Sequence, residues 1–287
     1  NAEIASFDQL KNEGKLQDIN KLDATIFETE FSGVLTGNLG KSYTYQQPVI
    51  DVMKPRFKVS ILLGLTGWII SYLVCIPLGI KKALNHGSKF DLISSSVVFM
   101  AYSIPGWAFG GVLLVLFGGG TFWDIFPLGS LHSPQEIWQN LSFFEKVIDQ
   151  IHHMILPIIA WSIASFAQLT ILMKNSLLEN LSQDYIRTAW SKGLRERVVV
   201  IRHALKNALI PVITLIGLQL PILVGGAVIM ENIFNLPGLG RLLLTALSDR
   251  DYPVISGVNL VFGTMVLGTN IMIDLIYPYL DPRIRYE

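Results

Sequence analysis

The sequence predicts an all-α integral membrane protein, a polytopic bundle of membrane-spanning helices. Of its 287 residues, 51% are hydrophobic and only 15% are charged, and the mean hydropathy is positive. A soluble domain of this size carries more charge. Five uncharged stretches reach the length of about 20 residues that a helix needs to cross a bilayer. Basic residues collect in the connections on one side of these stretches, and the formal net charge of zero argues against a nucleic-acid partner.

The N-terminal part of the chain differs from the rest. Residues 1–56 are polar and contain no stretch that could cross a bilayer, so we predict an N-terminal segment there and a membrane domain over residues 57–287. Gly40-Lys41-Ser42 resembles the end of a phosphate-binding loop. That motif also requires a glycine five residues before Gly40, where the chain has Leu35, so the sequence predicts no nucleotide site here.

The predicted membrane spans follow in order, at Val59–Ile80, Leu92–Thr121, Met154–Met173, Asn207–Met230 and Tyr252–Ile273. The second is longer than a bilayer requires and contains Pro105, so we expect its later two thirds to cross. Pro221 lies inside the fourth span and predicts a kink there. Small residues favour close helix packing at Gly106 and Gly110, and again at Gly225-Gly226-Ala227.

The distribution of basic residues predicts the orientation. Connections 81–91, 174–206 and 274–287 together hold 12 Lys or Arg, whereas the opposite side holds 10 in nearly twice the length. By the positive-inside rule, the 174–206 connection and the C-terminus lie in the cytoplasm. Residues 1–56 are then extracytoplasmic.

The 174–206 connection has the pattern of two short helices. Ser182 can cap a helix over Tyr185–Lys192, Asp184 puts a negative charge in its first turn, and Gly193 can end it in a left-handed conformation. In the following helix the apolar residues recur at spacings of three and four, and the basic residues form another stripe. The apolar stripe is Val198, Ile201, Leu205 and Leu209, and the basic one is Arg195, Arg202 and Lys206. Two interpretations remain open, an ordinary solvated loop and a helix that a soluble partner grips.

The sequence contains one candidate metal site and no enzyme motif. Glu145, Asp149 and either His152 or His153 are spaced to share one face of a helix, which zinc would require. An amphipathic helix at the membrane interface explains the same spacing and is favoured. The chain has no GxSxG, HExxH or DxDxDG sequence, so we predict no catalytic residues, no bound metal and no enzyme. The lone cysteine, Cys75, lies in an apolar run, and we predict that it is a small residue of the core.

Polar side chains inside the spans are candidates for a translocation pathway. They are Gln168, Gln219, Asn259 and Asn270. In hydrocarbon each needs a partner, so each should face the bundle or a wet cavity. Hydrogen bonding between helices is an equally simple explanation. Further along, the NLPGLGRLLL sequence at 235–244 predicts a turn and a short amphipathic helix, and SDRDYP at 248–253 predicts a charged turn before the last span.

Several strings together resemble one family. They are IPLGIKKAL, HGSKFD, MKNSLLE, YIRTAWSKGL, RHALKNALIP, LPGLGRLLL, RDYPV and the closing DPRI, and they run from about Gly37 to Ile284. This order resembles the oligopeptide and dipeptide branch of the permease subunits of bacterial ABC importers. Within that branch the pattern is most similar to the Yej-type peptide and microcin C permeases.

The resemblance implies a MetI-like type I importer fold with six spans, one of them upstream of Asn1. It also implies a multi-pass protein of the bacterial inner membrane, with both ends in the cytoplasm. It implies that the chain forms half of a translocation pathway with a second, homologous subunit. An extracytoplasmic peptide-binding protein delivers the substrate, and two ATPase domains bind ATP and Mg, so this chain itself carries no cofactor. Dipeptide and nickel permeases share this architecture and remain alternatives.

The resemblance also assigns residues to two surfaces. The ATPase-coupling residues are Tyr185, Arg187, Thr188, Ala189, Lys192, Gly193 and Leu194, and the binding-protein or outer-gate residues are Pro237, Gly238, Leu239, Asp249, Arg250 and Asp251. The chain departs from the general motif in three places, since Arg187 replaces an acidic residue, Trp190 follows the alanine, and Lys206 stands where many relatives have proline.

Two other classes of protein also consist of a helical membrane bundle. An ion-coupled secondary transporter would need a coupling site, and no predicted span contains Asp or Glu. A membrane scaffold would need no pathway at all.

Overall fold

The computed structural model describes residues 37–120, 122–215, 219 and 228–280, and helices dominate this part of the chain. The helices are α1 Val49–Leu84, α2 Lys89–Tyr102, α3 Gly106–Phe117, α4 Gln135–Trp138, α5 Phe143–Leu181, α6 Asp184–Ser191, α7 Glu196–Leu215, α8 Val228–Ile233, α9 Leu239–Asp249 and α10 Tyr252–Leu280. The all-α prediction is confirmed. The predicted kink at Pro221, the small patch at Gly225–Ala227, the DPRI sequence and residues 1–36 lie outside the described residues.

The described residues contain between three and five candidate membrane spans, against the five predicted. The helix that corresponds to the predicted fourth span begins at Glu196, inside the predicted 174–206 connection, and overlaps Asn207–Met230 only as far as Leu215. Three helices are long and apolar enough to cross a bilayer, namely α1, α7 and the Tyr252–Met272 part of α10. Two further pairs of segments qualify together, each bent at a short break. One pair is α2 with α3, and the other consists of the two halves of α5. If each pair crosses once, the total is five.

The prediction that the later two thirds of the second span cross the bilayer does not match the helices found there. Its chain turns by 91° between α2 and α3, and Pro105 caps the start of α3. The 12 residues of α3 reach only about 18 Å, which is too short to cross alone. The break has a local cause, because the proline ring disfavours helical backbone at the residue before it.

A seam between α1 and α5 forms the centre of the bundle. The buried residues of α1 include a row of small side chains, Ser60, Gly64, Gly67, Ser71, Cys75 and Gly79. A Cβ atom at Gly67 would overlap the ring of Trp161, and one at Gly79 would lie 2.7 Å from the Cβ of Met173. The two helices therefore approach more closely than larger side chains would allow. Cys75 is fully buried in this seam, as predicted.

The long helix α1 joins two apolar clusters at opposite ends of the bundle. Near its start, Val49 and Val52 pack with Leu239 and Leu242 of α9. Near its end, Ala83 belongs to the same cluster as α6. We call these the α9 end and the α6 end. Gly110 of α3 packs in the region between them, where a Cβ atom would lie 3.0 Å from the Phe234 ring and 3.3 Å from Ala160.

A buried ionic cluster joins three helices at the α6 end. The Lys174 ammonium of α5 donates to both carboxylate oxygens of Asp91 at 2.8 and 2.7 Å. The Lys82 ammonium of α1 lies 3.4 Å from the same carboxylate and donates to Ser94 and Ser95 of α2. Asp91 precedes the uncharged part of its span. The Lys174 hydrogen bonds hold the pKa of the Asp91 carboxyl well below its usual range, although burial acts in the opposite direction.

At the α9 end, the carboxylate of Asp251 holds the 42–45 turn. It accepts hydrogen bonds from the Ser42 hydroxyl at 2.5 Å and from the backbone N–H groups of Tyr43 and Thr44 at 3.1 Å each. The turn that begins at Ser42 thus binds an anion, and the anion is a side chain of the same protein. Burial alone would raise the pKa of Asp251, and the hydrogen bonds outweigh it and lower that pKa.

We expect Asp91→Asn to destabilise the protein strongly, because it leaves the buried Lys82 ammonium and the half-buried Lys174 ammonium without the carboxylate between them. Breaking a buried pair of this kind costs about 3–5 kcal/mol. The measurement is thermal unfolding of the purified protein in detergent. Asp51→Asn is the matched control, since Asp51 pairs with Lys54 within α1 and both side chains are exposed. Equal midpoints for the two variants would contradict a structural role for the Asp91 cluster.

The same cluster predicts a pH dependence. A carboxyl whose folded-state pKa is lowered stabilises the protein above its unfolded pKa of about 3.9, and this contribution is lost as the pH falls further. The difference in unfolding midpoint between the wild type and Asp91→Asn should therefore shrink as the pH falls below about 4. A difference that stays unchanged at such pH values would show that the Asp91 carboxylate is not responsible.

The α1–α5 seam predicts opposite outcomes for two glycine substitutions. Gly79→Ala should destabilise the bundle, because the new Cβ would also lie 2.9 Å from the backbone oxygen of Thr170. Gly263→Ala on α10 meets nothing within 4 Å and should be neutral or slightly stabilising, since alanine is the better helix former. Thermal unfolding of both variants makes the comparison, and a Gly79→Ala protein as stable as Gly263→Ala would exclude the close approach.

Candidate functional site

The best candidate for a functional site is α6 with the turn that follows it. The first turn of α6 begins with Asp184, as predicted, but its N-cap residue is Gln183 rather than Ser182. Ser182 instead ends α5, since its N–H bonds to Leu178 and its hydroxyl donates to the backbone oxygen of Glu179. Two helices meet here with almost no linker, so the serine that sequence reasoning assigned to the second helix belongs to the first.

One face of α6 is fixed to the bundle. Ile186 and Ala189 are buried there, in the same apolar cluster as Leu177 of α5 and as Val199 and Ala204 of α7. Ala189 was among the predicted coupling residues, and its side chain faces the protein rather than a partner. Its small size lets α6 lie close to the bundle.

A pair of hydrogen bonds adds to this attachment. The Tyr185 hydroxyl donates to Asn180 at the end of α5 at 2.9 Å. It also accepts a hydrogen bond of 3.1 Å from the side-chain amide of Asn207 in α7. Tyr185 therefore connects α5, α6 and α7 through one oxygen atom, while part of its ring remains exposed. A displacement of α6 would be transmitted to both flanking helices.

The turn after α6 has the predicted left-handed glycine. Gly193 has φ of +72°, and its N–H bonds to the backbone oxygen of Trp190 at 2.9 Å. No atom lies within 4 Å of the position that a Cβ would occupy. The requirement for glycine is therefore conformational and not a matter of space.

The predicted apolar stripe of the second helix is wrong in part. Val198 and Ile201 are 37% and 53% exposed, whereas Val199, Val200, Ala204 and Ala208 are buried. The reason is a π-helical segment at Val199–Ala204, whose wider turn shifts the buried face by about one residue. The predicted basic stripe is confirmed, since Arg195, Arg202 and Lys206 are all exposed.

The exposed side of this region presents both apolar and basic side chains. Its apolar members are Trp190, Leu194, Val198 and Ile201, and its polar and basic members are Arg187, Thr188, Lys192, Arg195, Arg197 and Arg202. We call these residues the α6 surface. The pairing of Arg187 with Asp184 is long, 3.4 Å, and almost fully exposed, so it leaves Arg187 available to another group. Such a surface suits docking of a folded partner and not catalysis.

The predicted outer-gate residues divide into two groups. Pro237, Asp249 and Arg250 are exposed at the α9 end. Gly238, Leu239 and Asp251 are buried. The Asp251 carboxylate is used by the 42–45 turn, so it is a structural residue and not a contact for a partner.

The sequence analysis did not identify Glu231 and Ser60, which lie beside the buried members of this group. Glu231 of α8 is fully buried, and its carboxylate accepts a 2.6 Å hydrogen bond from the Ser60 hydroxyl of α1. The signal in the sequence was an acidic residue that follows an apolar run and lies seven residues before Gly238 of the Pro-Gly turn. That pattern alone does not separate a buried carboxylate from one in a solvated loop.

The four predicted pathway residues have different surroundings. Gln219 accepts a 3.3 Å hydrogen bond from the Tyr72 hydroxyl, which is a contact between two spans. Gln168, Asn259 and Asn270 are exposed on the surface of the chain. Asn259 and Asn270 are eleven residues apart, three turns of α10, and so share one face. Because hydrocarbon offers an amide no partner, this face of α10 adjoins protein or water in the membrane.

The acidic and histidine residues of α5 that were considered as metal ligands form hydrogen bonds within the chain. The Glu145 carboxylate accepts the N–H of Ser142 in a capping box, and Asp149 accepts from both the N–H and the hydroxyl of Ser133. His152 bonds to the backbone oxygen of Ile125, and His153 to that of Asp149. Over the described ranges no three such residues are grouped to hold a metal.

Comparison with known proteins identifies the family. A family model described as "Binding-protein-dependent transport system inner membrane component" matches residues 75–286. The chain is 41% identical over 251 residues to the peptidoglycan transport system permease protein YejB of Agrobacterium fabrum, an alignment that covers 87% of this chain and 68% of the relative.

Two further relatives have the same kind of description. The dipeptide transport system permease protein DppB of Escherichia coli is 38% identical over 272 residues, with 89% of this chain and 79% of the relative covered. The oligopeptide transport system permease protein AppB of Bacillus subtilis is 36% identical over 254 residues, covering 88% and 78%.

These matches bear out the predicted resemblance and the MetI-like fold, and they exclude the ion-coupled transporter and the scaffold. They also support the prediction that the chain is not an enzyme, because members of this family are membrane components of transporters. The chain is thus an integral membrane component that works with ATPase and substrate-binding partners. It belongs to the family of binding-protein-dependent transport system inner membrane components, as the permease subunit of an ABC importer.

Proposed function

We propose that this permease forms half of a pathway for peptides and is driven through the α6 surface by a cytoplasmic ATPase. The observation that carries the proposal is the contrast between the two sides of α6. One side is fixed to α5 and α7 by Ile186, Ala189 and the Tyr185 hydrogen bonds, while the other presents exposed apolar and basic groups. A helix with one face packed on the bundle and the other exposed to a partner can transmit a movement of that partner to the spans.

The coupling step follows from these contacts. An ATPase pair holds the exposed Arg187, Thr188, Trp190, Lys192 and Leu194, and ATP with its Mg is bound entirely by the ATPase. When the pair closes, α6 moves, and the attachment through Tyr185 carries the ends of α5 and α7 with it. The Gly193 turn lets α6 and α7 lie at an angle while they remain linked. The spans then rotate to open the pathway at the α9 end, alternating its access between the two sides.

The orientation completes this arrangement. With the α6 end in the cytoplasm, the exposed basic residues of the α6 surface obey the positive-inside rule. The α9 end then faces outward, where Pro237, Asp249 and Arg250 are free to contact a soluble binding protein. The 1–56 segment lies on the same outer side.

Peptides are the favoured substrate class. The names of the three relatives refer to peptidoglycan, dipeptide and oligopeptide transport. An uncharged polar face such as that of Asn259 and Asn270 suits the amide groups of a peptide backbone, which vary little with sequence. With a second, homologous subunit, this face of α10 would line the pathway. The alternative to a longer peptide is a dipeptide or a nickel complex. Microcin C would belong to the peptide class of substrate.

Trp190→Asp should weaken association with the ATPase without unfolding the spans. It places a charge in the apolar centre of the α6 surface, at a side chain that is 43% exposed. Loss of a central aromatic anchor costs about 2 kcal/mol or more, which is at least tenfold in affinity. The measurement is the amount of ATPase that co-purifies with the permease. Leu247→Asp, an equally drastic change at an exposed site of α9, is the control and should leave co-purification unchanged. Equal retention by both variants would remove the α6 surface from the mechanism.

The orientation is open to a labelling test in intact cells. Single cysteines at Thr188 and Asp249 are placed in a Cys75→Ser background, and a membrane-impermeant maleimide is added from outside. We expect Asp249→Cys to react at once and Thr188→Cys to react only after permeabilisation. The reverse pattern would put the α6 surface outside the cell and would rule out coupling to a cytoplasmic ATPase.

A further inference from the structure

The start of α9 is capped by residues from two other helices. Gly238 is its N-cap residue and has no side chain to cap with. The Ser60 hydroxyl of α1 accepts the N–H of Leu239 at 2.8 Å, and the Glu231 carboxylate of α8 accepts the N–H of Arg241, also at 2.8 Å. These are two of the N–H groups that a helix cannot satisfy internally.

Ser60 and Glu231 are also bonded to each other. The Ser60 hydroxyl donates to Glu231 at 2.6 Å while it accepts from Leu239, so one hydroxyl joins α1, α8 and α9. The Arg241 guanidinium does not pair with Glu231 but donates to Asn235. Among the described residues, no cation forms a salt bridge with Glu231. The positive end of the α9 dipole and the two hydrogen bonds are what stabilise its buried carboxylate.

Gly238 completes the arrangement by leaving room. A Cβ atom at this position would overlap the carboxylate carbon and both carboxylate oxygens of Glu231. The backbone φ of Gly238 is −96°, which any residue can adopt, so the need for glycine here is steric. The glycine of the Pro237-Gly238 turn is thus required by the Glu231 side chain.

We propose that Glu231 is a positioning residue that fixes α9 to α1, so that the outer gate moves as one body with the α1–α5 seam. The inference rests on the proposed function, in which the α9 end carries the outer gate. Apolar contacts of Leu239, Leu242 and Ala246 with Val49, Val52 and Met53 hold the same two helices together. They are non-directional, so they keep α9 near α1 while the Glu231 network sets its angle and register.

A spin-label distance tests the positional role directly and requires no ATPase. Labels are placed at Lys54→Cys on α1 and Leu247→Cys on α9, both exposed, in a Cys75→Ser background. We expect a single narrow distance. In Glu231→Gln the distribution should be at least twice as broad, because an amide has one acceptor oxygen in place of the two that accept from Ser60 and Arg241. Asn232→Ala, an exposed neighbour on α8, is the control and should leave the distance narrow. An equally narrow distance in Glu231→Gln would overturn the proposal.

A double-mutant cycle separates this role from general destabilisation. Gly238→Ala alone should reduce the stimulation of ATP hydrolysis by loaded binding protein about tenfold, because it displaces the Glu231 carboxylate. Glu231→Ala should cause a loss of similar size. In the double variant the new methyl group occupies vacated space, so the loss should be no greater than in Glu231→Ala. Additive losses, about a hundredfold together, would show that Gly238 and Glu231 act independently and would refute the steric link.

The two experiments distinguish the inference from the function on which it rests. If the wild-type complex shows no stimulation by loaded binding protein, the proposed function fails. The spin-label result still decides whether Glu231 positions α9. If stimulation is normal and the Glu231→Gln distance stays narrow, the importer stands and the positioning role is refuted.

Discussion

The close approach of α1 and α5 is the constraint on which the rest of the structure depends. Both helices exceed the thickness of a bilayer, with 36 and 39 residues, and their contact is made possible by glycines that leave no room for a Cβ atom. In lipid there is little hydrophobic drive to join two apolar helices, so dispersion between well-fitted surfaces takes its place. Helices α2, α3, α7, α9 and α10 all pack against one or both members of this pair.

Buried carboxylates attach the remaining parts to the seam. Asp91 ties the start of α2 to Lys82 of α1 and Lys174 of α5, Glu231 ties α8 and α9 to Ser60 of α1, and Asp251 ties the 42–45 turn to the start of α10. Each lies near an end of a span and not at its middle. A buried charge is tolerated there because a lysine or a set of N–H groups reaches it without entering hydrocarbon. The apolar contacts provide cohesion, and these polar ones select a single geometry.

Much of the fold could be predicted from the sequence, because hydrophobic stretches and glycine turns are local signals. The spans at Val59–Ile80, Met154–Met173 and Tyr252–Ile273, the short helix at Tyr185–Lys192 and the left-handed Gly193 were predicted on that basis. The π-helical segment could not be, since Val198 and Val199 are equally apolar and only packing against α5 decides which is buried. Ala189 and Asp251 were predicted to lie on contact surfaces, but both are buried in the structure. Burial depends on what lies opposite a residue, and one sequence does not contain that information.

The π-helical segment at Val199–Ala204 makes the α6–α7 region tolerant of a one-residue deletion. A π turn holds about one more residue than an α turn. Removal of one residue from this segment would therefore convert it to an ordinary α-helix, and the part of α7 beyond it would keep the same face toward the bundle.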